Sequence, residues 1–198
     1  MVFRIEHRIG VAAPASEVWD LIYDLAGWKD WTELYTEASG TIRIGEKLRF
    51  VFQVGDRPPQ TLEGVVQDWV PEAQMVWKVK FIGSWFYSLR YLEIEALSET
   101  NCILANGDYY FGPLAFVMTR DLRSAVRAGF QRMNENAKRI SEERWAAKGG
   151  TVAPPADPLS SDGFSIQPLM QPSLTPRKFW GLGGGGPGLG PKALGAGK

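Results

Sequence analysis

The sequence predicts an α+β domain in which a curved antiparallel sheet wraps one long C-terminal helix, with short helices near its N-terminus. Three observations lead there. Between residues 47 and 111 the chain is a run of alternating apolar and polar segments separated only by short turns, which makes consecutive strands antiparallel. After Gly112-Pro113, the apolar side chains Leu122, Val126, Phe130, Met133, Ala137 and Ile140 recur at steps of three and four, opposite Arg123, Arg127, Arg132, Glu135, Lys138, Arg139 and Glu142. A helix with one apolar stripe must bury it, and the concave face of the sheet is the surface on offer.

Taken in order, Phe3, Ile5, Ile9 and Val11 alternate with Arg4, Glu6, Arg8 and Gly10 as a half-buried strand that also puts His7 on its apolar side. Ala13-Pro14-Ala15-Ser16-Glu17 starts a helix in which Val18, Trp19, Leu21, Ile22 and Leu25 supply an apolar face, and Gly27 ends it. Trp28 and Trp31 fall in a turn or second short helix before a segment around Thr36 to Thr41. Strands then follow from Lys47, and over Gln60 to Trp69, Met75 to Phe81, Phe86 to Leu97 and Asn101 to Phe111. The turns between them are Gly55-Asp56-Arg57-Pro58-Pro59, Val70-Pro71-Glu72-Ala73, Gly83-Ser84 and Ser98 to Asn101. The long helix is expected over Leu114 to Ala147.

Residues 150–198 hold 11 of the 22 glycines and 8 of the 13 prolines, a composition that buries too little surface to offset its ordering entropy. The expected organisation is therefore a folded domain over 1–149 and a disordered Gly/Pro-rich tail over 150–198, with Phe179-Trp180 as the tail's one apolar island. The 22 basic and 22 acidic side chains cancel, so the overall balance does not point to nucleic acid or to a strongly charged substrate. Neither a signal-peptide pattern nor a long uninterrupted apolar run is present, and the expectation is a cytoplasmic protein without stable membrane insertion. Cys102 and His7 are the sole cysteine and histidine, too few for a disulfide or a zinc site. No phosphate loop, dinucleotide fingerprint or serine-hydrolase elbow occurs, so neither a metal nor a cofactor is expected.

Continuing the alternation places Met75, Trp77, Val79 and Phe81 inward on one strand, and Leu92 and Ile94 inward on the next, which carries Ser88 and Arg90 in with them. On the last strand Cys102, Leu104, Asn106, Asp108 and Tyr110 share a face. The candidate lining of an internal site is thus His7, Trp31, Phe50, Phe52, Trp77, Phe81, Arg90, Leu92, Asn106, Asp108 and Tyr110, with Phe130 and Met133 from the helix. The aromatics either line a cavity or simply fill a core. Arg90 and Asp108 either form an internal ion pair or face a hydrated cavity, where Arg90 would hold an oxyanion and Asp108 a hydroxyl or amine. His7, Arg90 and Asp108 are also the candidate catalytic groups for proton transfer, against the plainer reading of His7 as a hydrogen-bonded wall residue.

Four segments carry a family resemblance: Val11 to Ile22 with Trp28 to Trp31 after it, Val65 to Trp77, Tyr110 to Leu114, and the closing helix through Asn134 to Glu142. In these the chain resembles the START-like helix-grip (SRPBCC) superfamily, in its polyketide cyclase/dehydrase branch. The resemblance implies a helix-grip fold with a cavity between sheet and helix, used in relatives for lipids, polyketides, hormones or quinones. It transfers no reaction, because such folds host enzymes, carriers and regulatory binders alike. The expected function is binding of an apolar or amphipathic small molecule of the lipid, polyketide-like, aromatic or quinone class. The alternatives are a cyclase or dehydratase acting on a polyketide-like substrate, and a protein with a filled core that contacts a partner through Phe179-Trp180.

Overall fold

The computed structural model describes residues 2–152. Seven strands form one antiparallel sheet: β1 Val2–Val11, β2 Tyr35–Gly40, β3 Lys47–Phe52, β4 Gln60–Val70, β5 Gln74–Ile82, β6 Phe86–Ala96 and β7 Cys102–Phe111. Their order across the sheet is β1-β7-β6-β5-β4-β3-β2, so each hairpin pairs with its neighbour in sequence and only β1 joins from a distance, beside β7. Helices α1 (Ala15–Tyr23) and α2 (Trp28–Trp31) follow β1, and the long helix α3 (Arg120–Ala147) runs along β1, with α1 and β7 also against it. This is the helix-grip arrangement expected from the strand run and the helix stripe.

The long helix begins later than its periodicity suggests. Leu114 lies in a separate 3-10 turn, Pro113–Val117, and α3 starts only after Met118 leaves the helical region. Thr119 sets that start, its hydroxyl accepting from the Leu122 backbone N–H at 3.3 Å. The stripe itself packs as expected: Val126, Phe130, Met133 and Ala137 are buried and Leu122 and Ile140 partly so.

The interior is where expectation and structure part. Trp28 is fully buried, its indole N–H donating to the Ile22 carbonyl at 3.0 Å, and its ring lies 4.9 Å from Tyr35 and 5.9 Å from Phe50. Phe50 in turn lies 5.4 Å from Trp77. Gly64 on β4 makes this possible, since a Cβ there would come within 2.5 Å of the Trp77 ring. Trp28 opens α2, the second short helix that was one of the two expectations for it, while Tyr35 opens β2 just ahead of the segment expected from Thr36, and their rings occupy the space between sheet and helix. Most of the region between sheet and helix is therefore packed core. The Gly/Pro-rich tail and its Phe179-Trp180 island lie outside the described residues, apart from Gly150 to Val152.

Candidate functional site

Strand register brings the inward polar residues together. Because side chains alternate with period two, residues paired across neighbouring strands share a face. One rung reads Trp77, Arg90, Asp108 and Ile5 across β5, β6, β7 and β1. The rung on one side is Val79, Ser88, Tyr110 and Phe3, and on the other Met75, Leu92, Asn106 and His7. Neither β6 nor β7 carries a bulge over this stretch, so Ser88, Arg90, Asn106 and Asp108 all point in and are buried.

Arg90 and Asp108 sit only 3.9 Å apart, N to O, with both side chains almost wholly buried. That separation gives Coulombic attraction without a good hydrogen bond. Four aromatic rings surround the guanidinium, Phe130 at 4.2 Å, Tyr35 at 5.1 Å, Phe52 at 5.4 Å and Trp77 at 6.0 Å from its centre, so cation–π attraction makes up part of the lost hydration. Even so, Arg90 Nε and Nη2, Asp108 Oδ1, Ser88 Oγ and Asn106 Oδ1 have no hydrogen-bond partner among the described residues. Burial pushes the Asp108 carboxyl up to about 6, against the opposing pull of Arg90 and the nearby Tyr110 and Ser88 hydroxyls. Burial likewise raises the phenols of Tyr35 and Tyr110, so both remain neutral donors.

Of the unpaired groups, those of Arg90, Asp108 and Ser88 border a small void of about 20 Å³. Of the candidate lining, Phe50, Phe52, Trp77, Phe81, Arg90, Asp108 and Tyr110 face it. Tyr35, Leu62, Val79 and Ser88 complete it. The alternation puts Val79 and Ser88 inward but does not reach Tyr35 or Leu62; the register shifts between Tyr35 and Glu37, which breaks the period-two signal there. A void of this size has room for about one water, not for a lipid or polyketide, so the expected ligand-sized cavity is absent at this end. The physical reason is the packing of Trp28, Tyr35 and Phe50 just described.

The other candidates lie away from the void. His7 faces α3, where Asn134 Nδ2 contacts its Nδ1 at 3.1 Å and donates to its carbonyl at 2.9 Å, which fits the wall-residue reading. Asn106 donates to the Met133 sulfur at 3.3 Å, beside Leu92 in register. Trp31 packs edge-on to Trp28, and Phe130 reaches the site only through its face on Arg90. Cys102 is buried and its thiol pushed up to about 11, chiefly by desolvation, which makes it a core residue without thiolate chemistry near neutral pH. Among the described residues no three His, Cys, Asp or Glu side chains gather as metal ligands, and no helix is long and apolar enough to cross a membrane.

Comparison with known proteins agrees with this architecture. Residues 2–142 match the family described as polyketide cyclase / dehydrase and lipid transport. No curated protein sequence matches the chain. Among solved structures, the Zhui aromatase/cyclase from a Streptomyces species is similar at 18% identity and a TM-score of 0.56, over 76% of this chain and 100% of that one. Norcoclaurine synthase from Thalictrum flavum, a point mutant in complex with a transition-state analogue, is similar at 14% identity and a TM-score of 0.57, over 73% and 96%. The di-domain ARO/CYC StfQ from the steffimycin biosynthetic pathway is similar at 16% identity and a TM-score of 0.60, over 74% of this chain. The matched region is 52% of that protein, so the chain spans about half its length. At such identities the likeness is one of fold.

Proposed function

The chain belongs to the polyketide cyclase / dehydrase and lipid transport family, and from that premise we propose that its helix-grip domain binds an apolar or amphipathic small molecule whose polar head is held by Arg90 and Asp108. One observation carries the reading: four buried polar atoms, on Arg90, Asp108 and Ser88, lack partners where these side chains line the void. A dry core would be penalised by each of them, at about 1–3 kcal/mol per neutral group and more for the charged ones. A ligand head with two oxygens would satisfy Arg90 Nε and Nη2 together, while Asp108 Oδ1 accepts from a hydroxyl or amine. Within the lipid, polyketide-like, aromatic and quinone classes, the members that carry a carboxylate or phosphate beside a hydroxyl offer such a head on an apolar body. The 20 Å³ void requires that the lining give way on binding, and Phe52, Leu62 and Phe81 are its least buried side chains. The lone buried cysteine fits a reducing cytoplasm as the place of action.

A second reading, a cyclase or dehydratase, is favoured by Asp108 at about 6, a value suited to exchanging a proton near neutral pH beside a cation that stabilises an enolate. Asp108→Asn separates the two: a binder loses affinity by a modest factor, an enzyme loses turnover by orders of magnitude. The filled-core interaction protein is the remaining alternative, supported by the aromatic packing but offering no role for the unpaired atoms. Native mass spectrometry of the purified full-length protein tests the proposal. A co-purifying small molecule that is absent from Arg90→Leu is expected; a bare polypeptide mass in both, unchanged by incubation with fatty acids or aromatic polyketides, would favour the filled core.

A further inference from the structure

Two turns at one end of the sheet carry apolar side chains that remain exposed. The β5–β6 turn is closed by the Trp85 N–H donating to the Ile82 carbonyl at 2.9 Å, with Gly83 at φ +53°, and it leaves Trp85 62% and Ile82 51% exposed. The 3-10 turn after β7 buries Ala115 and holds Phe116 64% exposed and Val117 44% exposed. The two turns are joined, since the Leu114 N–H donates to the Trp85 carbonyl at 3.2 Å and Gly112 lies so close to that carbonyl that any side chain there would collide with it. Exposed apolar residues scattered singly are ordinary. Four bulky ones on two turns bonded to each other form a patch, beside Phe81, which precedes Ile82 in the chain and lines the void.

Charge around this patch indicates what it fits. Lys80 is exposed two residues before Ile82, Arg57 is exposed on the β3–β4 connection at the same end of the sheet, and Arg120 is exposed at the start of α3, four residues after Phe116. Arg123 lies over the Phe3 ring at 3.9 Å. None of these four cations makes an ion pair among the described residues, and Asp56 and Asp121 are the nearby acids in sequence. In a chain of zero formal net charge, four cations without ion pairs thus flank these exposed apolar turns. Indole and phenyl rings at loop tips favour the water–lipid boundary, and flanking lysine and arginine favour anionic headgroups.

We propose that this end of the domain docks on the surface of an anionic lipid bilayer, with Trp85 and Phe116 in the headgroup region and Arg57, Lys80 and Arg120 over the phosphates. The proposal goes beyond the interior site and stands apart from it. Its test is co-sedimentation of the full-length protein with vesicles of phosphatidylcholine alone or mixed with phosphatidylglycerol, without any soluble ligand, so failure here leaves the Arg90 reading standing. The wild-type protein is expected to bind mixed vesicles at least ~10-fold more tightly than neutral ones. Trp85→Ser with Phe116→Ser is expected to weaken binding at least ~10-fold. Arg57→Gln, Lys80→Gln and Arg120→Gln together are expected to remove the preference for the anionic vesicles. Absence of wild-type binding, or equal binding by the serine variant, would overturn the proposal. So would size-exclusion data in which the serine substitutions convert a dimer to a monomer, because a second copy would then be what covers the patch.

Discussion

Arg90 and Asp108 occupy directly paired positions on β6 and β7, yet their separation leaves each with an unused hydrogen-bonding atom. The titration of Asp108 gives this a measurable consequence. With its carboxyl held up to about 6 against an ordinary 3.8, the folded chain keeps a proton that the unfolded chain releases. Stability from this group is therefore complete below about pH 4 and is lost as the pH rises through about 6. Asp108→Asn should flatten that window, so that urea unfolding at pH 4, 5, 6 and 7 gives a wild-type-minus-variant difference that changes by about 1–3 kcal/mol. Parallel stability curves for the two proteins would show that Asp108 does not titrate in this range. These inward polar positions were legible in the sequence because β6 and β7 keep a strict period of two. Tyr35 was not, since the neighbouring register shift hides its alternation, and the orientation of His7 toward Asn134 depends on where α3 lies, which no local pattern encodes.

At the scale of elements, α3 and the strands facing it owe their fit to few positions. Phe130 is wholly buried and stacks on Arg90, so Phe130→Ala should destabilise the fold by about 3–5 kcal/mol in chemical denaturation, the range for a packed rather than a cavity-lining site. Gly64→Val would drive a side chain into the Trp77 ring, and a loss of about 1–3 kcal/mol is expected, with Trp77 fluorescence shifted as the ring moves. Thr119→Ala removes the hydroxyl that starts α3 and should cost about 1 kcal/mol with little change elsewhere. Strand existence and the helix stripe were readable because periodicity is a local property. The break between the 3-10 turn and α3 was not, because Leu114 to Val117 continues an apolar run and only the backbone turn at Met118 and the Thr119 cap separate it from the helix.

For the whole molecule, antiparallel hairpins followed by one amphipathic helix leave few compact arrangements, which is why the architecture is legible in the sequence. The state of the interior was not. Whether aromatic side chains line a cavity or fill it depends on rings converging from α2, β2, β3 and β5, and sequence spacing says nothing about that convergence. We propose that the folded domain ends near Gly149, where composition changes, and limited proteolysis should leave a resistant fragment ending there; a protease-resistant full-length chain would refute that boundary. In the binding proposed above, Arg90 anchors the acidic head of an apolar ligand inside the grip. The most direct test of this anchoring is a calorimetric titration of wild-type protein and Arg90→Leu with decanoate and with decanol. The substitution is expected to weaken decanoate by about 10- to 100-fold while leaving decanol within about twofold. Equal affinities of the two proteins for decanoate, or no binding of either compound by wild-type protein, would contradict it.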